Sequence, residues 1–175
     1  TVLLILAISL ITALGGRISK EILAINAILF HFQTFLSYGL DGVANATEVL
    51  IGRSIGEKDK KKYIYYIIAS SILAFALALI YFIFYLFLSE YIFNFFSSDE
   101  LFLDKLLDYR LWITISPLIS VFCFQLDGIF IGALKGKIMR NSMLVSFIFY
   151  IISLLILVPF LNNHGVWLSF MIFLF

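Results

Sequence analysis

Three carboxylates sit in stretches otherwise apolar enough to cross a bilayer. Asp41 and Glu48 lie in QTFLSYGLDGVANATEVLIGRSIG, residues 33–56, and Asp127 lies in PLISVFCFQLDGIFIGALKG, from Pro117. An acid inside a lipid-facing run costs roughly 2.5–3.5 kcal/mol on insertion scales, so it marks a pathway or an ion site. Read as a helix, the first stretch and the residues before it place Asn26, Gln33, Ser37, Asp41, Asn45 and Glu48 in one file, at steps of seven, four, four, four and three. The opposite face is Leu, Ile, Phe, Val and Tyr. Such a helix is expected to turn its apolar side to lipid and its acids to a bundle interior or a wet cavity. The bland alternative is that Asn, Gln and Ser serve as interhelical glue. In the second stretch Ser116, Ser120 and Asp127 share a face. Leu-Asp-Gly occurs at Leu40 and again at Leu126, each time ahead of a basic segment. Asp41 is 12 residues before Arg53 and Asp127 is 8 before Lys135. At 1.5 Å per residue these are about 18 and 12 Å, a comparable depth. Two acids at one level, beside flexible glycines, form a candidate cation or proton site. Glu48 lies nearer the end of its helix, where it can pair with Arg53.

The elements that position these acids follow from composition. Of 175 residues, 63% are hydrophobic and 13% charged, and the mean hydropathy is +1.09. A soluble domain carries about 25% charged residues, and no soluble fold of this length buries so much apolar surface. The chain is expected to be an all-α integral membrane protein, a polytopic helical bundle of about six transmembrane helices. A net charge of +1 points to no acidic partner and to no nucleic acid. The one cysteine, Cys123, excludes a disulfide framework, and neither histidine belongs to a metal-ligand motif. His31 is expected to be interfacial or packed, and His164 to lie in a loop.

The apolar blocks run over about 1–14, 22–55, 63–88, 109–134, 141–161 and 166–175. The first and last are too short for a span of about 20 residues, so both ends read as truncated. Gly15-Gly16-Arg17 is expected to end the first block. The second is long for one span, which predicts tilt or a bend near Gly39 and Gly42. In the third, Ala69, Ser70, Ala74 and Ala78 suit close helix packing, and the aromatic ends, including Tyr85 to Phe96, read as interface belts. Residues 97–108 form an acidic connector in which Ser98 caps a short helix. Pro117 is expected to kink the fourth block, and Pro159 to end the fifth before the turn Asn162-Asn163-His164-Gly165. Eight of the twelve basic residues fall in two alternate connectors: Arg53 and Lys58 to Lys62 in one, Lys135 to Arg140 in the other. The positive-inside rule places both in the cytoplasm.

The segments LDGVANATEVLIGRSIGEKD, 40–59, and PLISVFCFQLDGIFIGALKGKIMRNSM, 117–143, resemble the C-terminal half of the multidrug and toxic compound extrusion (MATE) family, in its DinF-like branch. The resemblance covers nearly the whole chain. It implies one six-helix lobe, the seventh to twelfth helices of a twelve-helix transporter, with the N-terminal lobe of the same parent as partner and membrane lipid around it. It implies an alternating-access antiporter that exports organic, often cationic, small-molecule substrates against inflow of protons or sodium, with no other cofactor and no bound metal. Asp127 falls on the tenth-helix motif and Asp41 on the eighth-helix motif. These and Glu48 become coupling candidates, and Asn26, Gln33, Ser37, Asn45, Ser116 and Ser120 cavity-lining candidates. An acid that some relatives carry on the seventh helix has no counterpart in residues 1–14. The localisation implied is a plasma (inner) membrane, multi-pass. Competing readings are a lipid-linked precursor flippase, which would call for basic rather than acidic mid-span residues, and a non-transporting membrane fragment. No catalytic constellation is visible, so the chain does not read as an enzyme.

Overall fold

The computed structural model describes residues 2–96 and 98–175. Thr1 and Ser97, which begin the first apolar block and the acidic connector, lie outside the described residues. The helices in chain order are α1 Val2–Ile18, α2 Lys20–Gly56, α3 Lys60–Phe96, α4 Glu100–Asp108, α5 Arg110–Gly132, α6 Gly136–Leu161 and α7 Asn163–Leu174. Lys20–Gly56, Lys60–Phe96, Glu100–Gly132 (α4 with α5) and Gly136–Leu161 are long and apolar enough to cross a membrane. The chain is a helical membrane bundle.

The axis of the bundle is α2, which packs on α3, α5 and α1. Its 37 residues rise about 55 Å, and it runs through Gly39 and Gly42 without a break. The buried stripe is Ile25, Leu29, Phe32, Leu36, Leu40, Ala44, Thr47 and Ile51. The face expected toward lipid is therefore the one that packs, and the polar file flanks it. Leu, Ile and Phe fill the space between helices without leaving a polar atom unpaired. A polar residue can enter only where a partner meets it.

The seam between α2 and α5 is closed by glycine. A Cβ on Gly128 would stand 2.4 Å from the Ala44 carbonyl oxygen, and one on Gly132 2.5 Å from that of Glu48. Only hydrogen at these two positions lets the backbones touch. On α3, Ser70, Ala74 and Ala78 are buried as expected, whereas Ala69 is exposed. Tyr85 belongs to the core and not to an interface belt: it is 0% exposed, and its hydroxyl donates to the Phe32 carbonyl at 2.7 Å.

Several helix ends differ from expectation. Gly15-Gly16 does not end α1, which runs on to Ile18. Ser19 caps α2, its Oγ accepting from the Ile22 amide at 3.0 Å. Asp99, not Ser98, caps α4, accepting from the Leu101 amide at 3.0 Å. Its carboxylate complements the helix N-terminus, which a serine one residue earlier cannot do. Pro117 and Pro159 both lie inside helices. The two basic turns are built alike. Lys58 (φ 54°) and Leu134 (φ 55°) both adopt left-handed backbone. The amides of Asp59 and Lys135 each reach back five residues, to the carbonyls of Ser54 at 3.0 Å and Phe130 at 2.8 Å. This is the Schellman closure of a helix C-terminus.

Candidate functional site

A cavity of about 260 Å³ opens between α1, α2, α5, α6 and α7. Gln33 and Ser37 of α2 and Asp127 of α5 line it, with Cys123, Met139 and Met143 nearby and Phe30, Phe130 and Phe170 among its aromatic walls. Asp127 is half-buried and is the one charged residue on the wall among the described residues. It has no hydrogen bond or ion pair among the described residues. A lone carboxylate among phenylalanines and thioethers suits a cation with an apolar body. Ring faces and sulfur accept positive charge, and the carboxylate neutralises it.

Two contacts fix the relative height of α2 and α5. Gln33 donates to Ser120 at 3.1 Å, and Gly128 abuts Ala44. Asp41 and Asp127 lie between those rungs, so the two acids stand at one level. Only Asp127 is on the cavity wall, although Asp41 is near enough for its charge to act on Asp127 and Cys123. Asp127 points into the cavity, whereas Asp41 and Asn45 lie on the exposed face of α2. Glu48 is half-exposed, one turn further along.

The other polar residues sort by their partners. Asn26, 1% exposed, is off the cavity wall. Its amide exchanges two hydrogen bonds with Asn163, each 2.9 Å, and its oxygen also accepts from the Trp167 indole at 2.8 Å. Ser116 donates to the Ile113 carbonyl at 3.0 Å, and Ser120 meets Gln33 behind the wall. Asn26, Ser116 and Ser120 are thus packed glue between or within helices, while Gln33 and Ser37 reach the cavity. Arg53 pairs with Glu57 at 2.8 Å and not with Glu48. Lys62 joins the same carboxylate at 2.6 Å. Hydrogen bonds from Lys62 and then Arg53 pull the Glu57 carboxyl down to about 2.

Two polar features escape a reading of the sequence. Gln125 ties three helices together, donating to Ser70 at 2.8 Å and Ser71 at 3.1 Å and accepting from Thr47 at 3.4 Å. His164 is not a loop residue: it stands in the first turn of α7, and its Nδ1 accepts from the Trp112 indole at 3.0 Å. The available signal was the tryptophans. A buried indole N–H needs an acceptor, and Asn and His were the candidates.

The sequence matches the MatE family profile over residues 1–159. The chain belongs to the MATE family. It is 37% identical over 175 residues to the DNA damage-inducible protein F of Escherichia coli (strain K12), covering 99% of this chain and 38% of that protein. The chain therefore spans well under half the length of that relative. No solved structure matches it. MATE proteins are transporters, and both Leu-Asp-Gly segments fall inside the matched region.

Proposed function

We propose that this chain is the C-terminal lobe of a MATE exporter that couples extrusion of organic cations to inflow of a proton or sodium ion, with Asp127 as the coupling carboxylate. The observation that carries the reading is an acid on the wall of an aromatic cavity with no hydrogen-bonded or ion-paired partner among the described residues. A carboxylate there is neutralised by one positive charge at a time, either the substrate or the coupling ion. Competition for that single group, combined with alternating exposure, makes an antiporter. Gln33 and Ser37 supply neutral acceptors beside it, and Asp41 with Asn45 turns toward the N-terminal lobe of the parent. The acidic wall disfavours the flippase reading, whose pyrophosphate substrate calls for cations. Asp127→Asn keeps the shape and removes the titration. In the full-length parent this variant should insert and fold but lose coupled efflux, or export without pH dependence. Export at the parental rate with unchanged pH dependence refutes the assignment.

The basic turns are assigned to the cytoplasm of a plasma (inner) membrane. A cysteine at Lys61 should resist an impermeant thiol reagent in intact cells and one at Asp99 should react. The opposite pattern reverses the topology.

A further inference from the structure

We propose that His164 is a proton-binding site whose occupancy unlatches the start of α7 from α5. The indole N–H of Trp112 can only donate, and it meets His164 Nδ1 at 3.0 Å. That contact requires Nδ1 to be bare and puts the ring's proton on Nε2. The Tyr109 ring stacks on the same imidazole, with centroids 4.4 Å apart and planes inclined by 22°. A proton added at Nδ1 makes an imidazolium with donors on both nitrogens. Two N–H groups then face each other and the bond is lost. Trp112 is 9% exposed, so water does not readily replace the acceptor.

The backbone beside the latch is held from two other sides. Asn162 alone joins α6 to α7, at φ 48° and ψ −128°, a sparsely populated conformation for a residue with a side chain. On the far side, Gly165 is seated on the α6 backbone, where a Cβ would lie 2.6 Å from the Leu157 oxygen. The α7 start is thus clamped at Gly165 and by the Asn26–Asn163 pair. The His164–Trp112 bond fixes its remaining edge to α5.

The charged and titratable groups at this end of the neighbouring elements are Arg17 on α1, Lys20 and Glu21 on α2, Glu90 on α3, Glu100, Asp104, Lys105 and Asp108 on α4, Tyr109, and Arg110 on α5; the ends of α6 and α7 at this break add none besides His164. Glu21 and Lys105 pair with each other at 2.5 Å, and Arg110 is engaged by Glu90 and the Leu86 carbonyl. None of them is hydrogen-bonded to the His164 ring. Protonation of Nδ1 opens the latch and deprotonation closes it. It lies at the end of the bundle opposite the basic turns and does not depend on the transport reading.

The test uses the full-length parent, reconstituted and carrying 15N-labelled tryptophan. The Trp112 indole resonance is identified by its loss in Trp112→Phe. It should shift between pH 8 and pH 5 in the native sequence and stay fixed in His164→Gln, whose side-chain oxygen accepts without titrating. In a Cys123→Ala background, a cysteine at Val166, which is 0% exposed, should react with a thiol reagent about tenfold faster at pH 5 than at pH 8 once each rate is divided by that of a fully exposed control cysteine at the same pH, which removes the change in thiolate fraction. His164→Gln should abolish that difference. A Trp112 resonance that stays put from pH 8 to pH 5 overturns the proposal. So does an identical shift in His164→Gln, or a Val166→Cys rate that, relative to the exposed control, is the same at both pH values.

Discussion

Asn26 and Asp127 are both polar side chains inside an apolar bundle, and their surroundings differ completely. Asn26 exchanges two hydrogen bonds with Asn163 and accepts a third from Trp167, with 1% of its surface exposed. Asp127 stands on a cavity wall with no hydrogen-bonded partner among the described residues. The difference separates two reasons for a polar group in a membrane. A saturated group joins helices, because each partner would be orphaned without it. An unsaturated group facing open space is held ready for something that arrives.

That contrast predicts a split between stability and activity. Asn26→Leu should have the largest effect on folding. It strands the Asn163 amide and the Trp167 indole, at about 1–3 kcal/mol for each buried orphan. Detergent-solubilised protein should melt several degrees lower, whereas Asp127→Asn should melt with the native protein. Equal melting of Asn26→Leu and native protein would dissolve the comparison. Asp41→Asn comes next. It removes an acid at the same level as Asp127 but on the exposed face of α2. Coupled efflux should weaken in the same direction as in Asp127→Asn and by less, since Asn45 and Glu48 remain nearby; a loss as deep as that of Asp127→Asn would make the two acids equal partners.

The smallest effect belongs to Glu57, where Lys62 and Arg53 meet in the open. Its carboxyl is held down at about 2 against an ordinary value of 4.5. A depressed carboxyl adds stability above its unfolded value and loses it as pH falls. The contribution is therefore present at pH 5 and disappears between about 4.5 and 2. Exposed pairs are screened, so Glu57→Gln should leave the neutral-pH melting temperature nearly unchanged. Its only signature should be a shallower loss of stability on acidification through that window.

The helical membrane bundle was legible in composition, and so were the basic connectors and the common level of Asp41 and Asp127. The orientation of α2 was not. A file of Asn26, Gln33, Ser37, Asp41, Asn45 and Glu48 looks like an inward face by amphipathicity. Inside a membrane, however, lipid and bundle interior are equally apolar, so periodicity cannot say which apolar stripe packs. The glycines at 128 and 132 decide it, by drawing the Ala44–Glu48 turn of α2 against α5. Asn26 and His164 were misplaced for another reason. Their partners Asn163, Trp167 and Trp112 are distant in sequence, 137, 141 and 52 residues away respectively, and no local pattern announces such pairings.

The matching turns at Lys58 and Leu134 also set a register between α2 and α5. Aligning them sets an offset of 76 residues, which also brings Gly52 onto Gly128 and Gly56 onto Gly132. Under that offset Asp41 falls on Pro117, and Asp127 on Ile51. In that register the two Leu-Asp-Gly tripeptides do not superpose. In the folded chain Gly132 touches Glu48 rather than Gly56, so α2 overshoots α5 by eight residues, about 12 Å. The acids share a level because of that offset between the two helices, and not because they hold matching places relative to the two turns.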